Sequence, residues 1–514
     1  MLLGLDIGTS SSKAVLIDPR GRALAVGRAD HPLDQPRPGW SQQRAADWWE
    51  SAISAIASAL AQVPGSSSRV QAIGLSGQMH GLVLLDDAAL RGARDRSVDA
   101  LHPVLLWNDQ RTEAQCRTIE QAFGGKRAVV EAVGNAALPG LTLPKLLWVR
   151  EHAPDVFARV AKFCMPKDFI ALQLTGELAT DVGDGAGTLL LDPASRAWSP
   201  RAREALDLDP AILPRVLESA TIVGDLTRFA ARELSLRPGV PVIIGSGDNQ
   251  AGAVGTGVVE PGLAMAMLGT SGVVYAHAPR HAPDLTHAED CGRTQAFCAA
   301  DGTSSMPGHW SITGCTLSAG GSLEWARETI APHVAFSTLL DEAAAVPPGS
   351  EGLVFLPYLT GERCPHPDPR ARGAWIGLTS RHTRAHLVRS VVEGVTLTMA
   401  QILDIVRSLN VPISRIRLSG GGSQSAFWRQ LQADLYGTPV ATLTSNEGSA
   451  FGAAILAGVG VGVWTSVREA GHATIREGET RSPDAASAGA YHRLRDTFES
   501  VYGATASLMH RLAT

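Results

Sequence analysis

Two turns in this chain of 514 residues place glycine and hydroxyl side chains at the end of an apolar run: Asp6-Ile7-Gly8-Thr9-Ser10 after Leu2 to Leu5, and Gly269-Thr270-Ser271 after Leu263 to Leu268. Such a turn lets the backbone approach a ligand closely, and its N–H and hydroxyl groups are donors to phosphate oxygens. In the first turn Gly8, Thr9, Ser10 and Lys13 supply those donors, and Asp6 adds a carboxylate suited to holding Mg2+ through water. The second turn, Gly269, Thr270 and Ser271, has no carboxylate, as befits a loop that only grips phosphate. Taken alone, D-I-G-T-S is equally a plain hairpin with an Asp-capped turn.

Asp248 lies just past the apolar run Val240 to Ile244, between Gly247 and Asn249, where little bulk shields its carboxylate. It fits a general base that takes the proton of an attacking hydroxyl, with Asn249 fixing a neighbouring hydroxyl. The local alternative is an Asx turn or a helix N-cap. Gln78-Met79-His80-Gly81 follows the run Val70 to Leu75 and offers an amide, a thioether and an imidazole, the mixture of polar donors and apolar wall that a sugar pocket needs. A single histidine is as often structural. In Trp107-Asn108-Asp109-Gln110-Arg111 the indole suits stacking on a sugar face, whereas Asp109 and Arg111 read as a structural pair. Phosphoryl transfer from ATP requires a metal, phosphate donors and a base or orienter for the acceptor hydroxyl, and this chain has a candidate for each. It has no G-x-x-x-x-G-K-[ST] loop and no protein-kinase motif set.

Those residues need elements to place them. Leu2 to Leu5 and Ala14 to Ile17 read as two strands of a hairpin, Ala45 to Leu60 as an amphipathic helix, and Val70 to Leu75 as a strand, with strands and helices alternating beyond. The pattern restarts near Gly239. LDIGTSSSKAVLI at 5–17 and MLGTSGVVYAHA at 267–278 share a strand, a G-T-S turn and a returning strand. IGLSGQ at 73–78 and RLSGGGSQ at 417–424 share a strand ending in Leu-Ser-Gly, so two copies of one nucleotide-clasping plan are expected. A chain of this length exceeds one hydrophobic core. Two domains are expected, 1–244 mainly for sugar and the first phosphate loop, and 245–514 mainly for nucleotide and carrying the base, with a helix at Ala485 to Leu512 whose docking the sequence leaves open, packing back on the first domain being one option. Ala88 to His102 reads as an elongated surface hairpin.

The composition is 45% apolar and 18% charged with a formal net charge of −5, which argues for a globular protein and against nucleic-acid or membrane-surface partners. The six cysteines form no C-x-x-C pair and the fifteen histidines no H-E-x-x-H, so buried thiols are expected and a zinc site or disulfide framework is not. No apolar stretch reaches membrane-spanning length, and the start MLLGLDIGTS lacks the marks of a signal peptide, so a cytoplasmic location is expected.

Together these residues resemble the FGGY carbohydrate kinases. The resemblance runs from D-I-G-T-S to G-G-G-S-Q-S-A-F-W at 420–428, and includes G-L-T-L-P-K-L-L-W-V-R-E-H at 140–152, P-K-D-F at 166–169, G-D-N-Q-A-G at 247–252, L-P-Y-L-T-G-E-R at 356–363 and H-L-V-R-S-V-V-E-G at 386–394. It implies an α/β fold of two ribonuclease-H-like domains, as in the actin and hexokinase ATPases, closing over a cleft. It also implies ATP and Mg2+, with Asp248 as base, Asp6 at the metal, and Met79, His80, Asn249, Trp107 and Gln78 at the sugar. For the nucleotide it points to Thr9, Ser10, Thr270, Gly320, Gly421, Gly422 and Ser425. Ala426 stands where the similar glycerol kinases carry Asn, which leaves Ser425 as the substitute. The implied reaction is phosphorylation of a small ketose or polyol, D-xylulose first because of Q-M-H-G, with other pentuloses, hexuloses and pentitols as alternatives. The resemblance suggests a homodimer. A nucleotide-switched binding protein of the actin type would need no sugar-facing residues, and an inactive sugar sensor would be expected to lack Asp248.

Overall fold

The computed structural model describes residues 1–286, 290–444 and 447–513. The chain packs as two compact units: Met1–Glu260 with Pro279–Ser311 and Ser445–Ile475, and Pro261–Ala278 with Ile312–Thr444 and Arg476–Thr514. A single cut at 244 does not describe this division. Pro241–Gly247 is a strand of the first unit's sheet, and Asp248, at its end, belongs to the first unit rather than to a C-terminal domain. The chain also returns to the first unit late, because a helix at Ser449–Gly460 covers one face of that sheet.

The first unit is built on six strands in the order Ile222–Asp225, Pro241–Gly247, Ala72–Gly77, Leu2–Ile7, Ser11–Ile17, Ala23–Asp30. Leu2–Ile7 pairs antiparallel with Ser11–Ile17, as the hairpin reading expects, and parallel with Ala72–Gly77, which pairs parallel with Pro241–Gly247. Near-continuous apolar runs suit strands covered on both faces. Leu3, Leu5 and Ile7 enter a core with Trp48, Ile56 and Phe169 from helices Ala45–Ala61 and Pro166–Thr175. The opposite face is cut down to glycine where helix Ser449–Gly460 lies on it. A Cβ on Gly4 would stand 1.8 Å from the Ala450 carbonyl oxygen, and one on Gly74 would stand 1.9 Å from that of Ala453. A satellite core, including Leu84, Ile119, Val133, Leu146 and Phe163, supports the segments around Trp107 and His80. The 88–102 segment is not a hairpin: Asp86 accepts from the Ala89 N–H and caps a helix at Asp87–Gly92, and turns follow.

The second unit repeats the plan. Gly262–Leu268 and Gly272–Ala278 form an antiparallel hairpin, Ile413–Gly420 runs parallel to the first of these strands, and Val440–Leu443 runs parallel to Ile413–Gly420. Both Leu-Ser-Gly stretches fall where the duplication places them, on the parallel strand beside each hairpin. The 25-residue helix Arg384–Ser408 is the unit's buried spine. Helix Ala485–Leu512 packs within this unit: Arg389 donates to the Tyr491 hydroxyl at 2.9 Å, and the Tyr502 hydroxyl donates to Asp368 at 2.7 Å. The six cysteines are free thiols, five buried and Cys315 half-buried.

The backbone contact at Gly74 leaves no space for a branched side chain. Gly74→Val is expected to destabilise the protein by about 3 kcal/mol through overpacking, seen as a lower urea midpoint, whereas an unchanged midpoint would contradict the packing described.

Candidate active site

Three parallel strands carry the first unit's candidate residues to one edge. Asp6 lies near the end of Leu2–Ile7, Gln78-Met79-His80 follow Ala72–Gly77, and Asp248 follows Pro241–Gly247. Ligands of open α/β sheets bind beyond the carboxyl ends of such strands.

Asp6 is half-buried, accepts a 2.8 Å hydrogen bond from the Ser76 hydroxyl on the next strand, and stands opposite Lys13 in the hairpin register. Burial pushes its carboxyl above the usual range, against the Ser76 bond and the Lys13 charge. Asp248 opens helix Asp248–Gly255. Burial, then the negative charge of Asp6, push its carboxyl up to about 7, although the Asn249 and Asp248 backbone N–H groups pull it down. The Asp6 charge therefore acts on Asp248 within one unit. A divalent cation fits here on charge grounds: it would relieve the repulsion, and carboxylates with phosphate oxygens and water are the donors that Mg2+ prefers.

The D-I-G-T-S turn is tightly engaged. The Gly8 N–H donates to the Ser11 carbonyl at 3.0 Å, and the Gly8 carbonyl accepts from His31 Nε2 at 3.0 Å and Gln78 Nε2 at 3.3 Å. The Thr9 hydroxyl accepts from Trp107 Nε1 at 2.9 Å and donates to Gln78 Oε1 at 3.4 Å. Ser10 is exposed. The Lys13 ammonium is taken up by Glu447, at 2.6 Å to Oε2 and 2.8 Å to the backbone oxygen. Gln78 is buried and also donates to Gln43, so it braces this turn.

Met79 is buried, with its sulfur 3.7 Å from Asn249 Nδ2, while Trp107 is 42% exposed. His80 holds a left-handed conformation at φ 69°, unfavourable outside glycine and maintained only by its surroundings. Its Nδ1 lies 3.0 Å from the Gly187 carbonyl oxygen, and its own carbonyl accepts from Thr142 Oγ1 at 3.1 Å and Lys145 Nζ at 2.9 Å. The T-L-P-K stretch of 142–145 thus clamps His80. Composition gives no sign of that contact, which spans more than sixty residues. Asp109 and Arg111 pair as expected, and Arg111 is stacked 3.7 Å from the Trp40 ring centre.

In the second unit a cavity of about 500 Å3 is lined by Gly269, Thr270, Gly320, Gly421, Gly422 and Ser425, with Leu323, Phe336 and Leu340 as apolar wall. Ser271 is half-buried in the turn beside it, its carbonyl accepting from the Gly269 N–H at 3.0 Å. The Gly320 N–H donates to the Gly269 carbonyl at 2.8 Å and the Gly321 N–H to the Thr270 carbonyl at 3.1 Å, so the two loops are knitted together. Ser425 caps helix Ala426–Tyr436, its hydroxyl accepting from the Trp428 N–H at 3.3 Å. An apolar slot beside glycine loops suits a planar base with a phosphate tail. The apolar wall from Phe336 and Leu340 was missed by motif reasoning, since a helix more than sixty residues past the G-T-S turn supplies it.

Comparison with known proteins gives a consistent picture. Residues 1–255 match the N-terminal domain model, and residues 264–461 the C-terminal domain model, of the FGGY family of carbohydrate kinases. The chain is 35% identical to a xylulose kinase of Lactococcus lactis over 99% of this chain and 98% of that one, and 36% identical to a xylulose kinase of Escherichia coli over 99% and 100%. The crystal structure of a xyloylose kinase from Brucella ovis superposes with a TM-score of 0.88 at 34% identity, covering 99% of each chain.

The Asp6 charge raises the Asp248 carboxyl, so Asp6→Asn is expected to move the Asp248 titration to lower pH. Carboxyl-selective 13C NMR, assigned with Asp248→Asn, reads the shift; an unmoved or raised midpoint would show that the two groups are not coupled.

Proposed function

The chain belongs to the FGGY family of carbohydrate kinases, and on that premise we propose that it transfers the γ-phosphoryl group of ATP to the terminal hydroxyl of D-xylulose, giving D-xylulose 5-phosphate and ADP. The observation that carries this reading is the delivery of Asp6, Met79-His80 and Asp248-Asn249 to the carboxyl ends of three neighbouring parallel strands. Relatives named xylulose kinase, matched over nearly their whole length, support D-xylulose over other ketoses and polyols.

In this reading His80, Met79, Asn249 and the exposed face of Trp107 bind and orient the sugar, and Gln78 braces the turn beside them. Asp248 accepts the proton of the hydroxyl as its oxygen attacks phosphorus and the bond to the ADP oxygen breaks. A base that titrates near neutrality balances availability against proton affinity. Mg2+, held from Asp6 through water, neutralises the phosphate charge when bound. The second-unit cavity holds the nucleotide, with adenine against Leu323 and Phe336 and the phosphates at Gly269 to Ser271, Gly320 and Gly421 to Gly422. Ser425 stands at the adenosine end of this loop, and Thr9 and Ser10 are the first unit's donors to the transferred group. Lys13 contributes through its pairing with Glu447, which fixes the hairpin behind the turn.

Asp248→Ala is expected to bind both ligands yet lose roughly 10²–10⁴ in kcat; near-normal turnover would remove Asp248 from the role of base. For the unmodified enzyme, kcat/KM for sugar should fall tenfold per pH unit on the acid side of the Asp248 titration, because protonated Asp248 cannot accept a proton, and bound Mg2+ should place that limb below the metal-free value of about 7. A coupled ADP-release assay across pentuloses, hexuloses and pentitols should rank D-xylulose first, and faster release with another sugar would reassign the substrate.

A further inference from the structure

Behind Asp248 lies a buried polar joint that the reaction as described does not use. Lys167, Asp168, Asp181 and Asp184 are all fully buried. Lys167 Nζ lies 2.5 Å from Asp168 Oδ1, 2.9 Å from Asp181 Oδ1 and 3.8 Å from Asp184 Oδ2. Burial alone would neutralise this lysine, but the three carboxylates around it hold it above the ordinary lysine range. Asp181 is the most heavily engaged of the four. Beside Lys167 it accepts from the Gly183 N–H at 2.9 Å, the Asp184 N–H at 3.2 Å, the Ser219 hydroxyl at 2.8 Å and the Ser246 hydroxyl at 2.6 Å.

Ser246 stands two residues before Asp248, and its presentation to Asp181 is built into the strand. Along Pro241–Gly247, Ile243 pairs with Gly74 but Ser246 pairs with Ser76, so this strand carries one extra residue, a bulge with Gly245 at φ 66°. The bulge puts Ser246 opposite the serine that holds Asp6 while its hydroxyl reaches Asp181. The space is closed: a Cβ on Gly183 would stand 2.4 Å from the Ser246 oxygen. Sealed hydrogen-bonded ion clusters add little net stability against apolar packing, yet they fix geometry strictly because an unpaired member is costly.

We propose that the Ser246–Asp181 hydrogen bond, anchored on Lys167, is the positioning device for Asp248: it pins the bulged strand end and so sets where the carboxylate meets the acceptor hydroxyl. The inference rests on Asp248 being the base. Ser219 provides the internal control, since its hydroxyl donates to the same Asp181 oxygen from a segment that carries no site residue.

The test compares Ser246→Ala with Ser219→Ala in the full chain, measuring kcat, sugar KM and Tm, with Asp248→Ala in the same series. Each serine variant loses one buried hydrogen bond to Asp181, so both should lose a few degrees of Tm. Ser246→Ala should also lose roughly tenfold in kcat, since small displacements of a reacting group are costly, with sugar KM moving less than kcat because Met79, His80 and Trp107 still hold the sugar while only Asn249 shifts with the strand end. Ser219→Ala should keep kcat within twofold. A kcat unchanged in Ser246→Ala, or reduced as much in Ser219→Ala, overturns the proposal. Activity surviving in Asp248→Ala would instead overturn the assignment of the base, a separate failure.

Discussion

Parallel pairing of Leu2–Ile7, Ala72–Gly77 and Pro241–Gly247 aligns three carboxyl ends, and whatever follows each strand is delivered to the same edge of the sheet. The chemistry of the first unit depends on that alignment. It brings two acidic groups, far apart in sequence, close enough that the Asp6 charge adds to burial in pushing the Asp248 carboxyl up to about 7. The alignment is maintained by close packing: glycine faces at Gly4 and Gly74 let helix Ser449–Gly460 rest on the sheet, and the Ser449 hydroxyl donates to the Asp248 carbonyl at 2.9 Å. Secondary structure, packing and site chemistry are therefore one constraint, in which spreading the strands would move the carboxylates.

Much of this was legible in the sequence. Each G-T-S turn announced a hairpin, and each Leu-Ser-Gly announced the parallel strand beside it, because a buried strand must be apolar and a close turn must be small. Asp6, Asp248, Met79 and His80 could be picked out for the same reason, standing where an apolar run stops. The domain boundary was not legible, since a cut at 244 follows the linear restart of the pattern whereas the strand Pro241–Gly247 has its partner in Ala72–Gly77. The 88–102 segment was misread because its Arg and Asp residues suggest a surface loop as well as they suggest a short capped helix.

What the sequence hid was long-range and polar. Lys145 beneath the His80 carbonyl and Lys167 among three aspartates look like surface residues by type, yet both are fully buried. Burial pushes Lys145 well below the ordinary lysine range, while its carboxylates keep Lys167 charged. Such groups are retained at the cost of desolvation, and here each braces a residue of the candidate site. The second unit solves its problem differently, with glycine loops tied to one another by backbone hydrogen bonds beside an apolar slot. One topological plan thus supports an acidic site in one unit and a knitted set of glycine loops beside an apolar cavity in the other.

In the proposed reaction Asp248 takes its proton from a sugar hydroxyl while Asp6 serves the metal. A crystal structure with D-xylulose, Mg2+ and a non-hydrolysable ATP analogue would decide this. The expected result is an Asp248 carboxylate oxygen within about 3.2 Å of the terminal hydroxyl and Asp6 hydrogen-bonded to water on the metal. Sugar bound with no hydroxyl in reach of Asp248, or metal held away from Asp6, would contradict it.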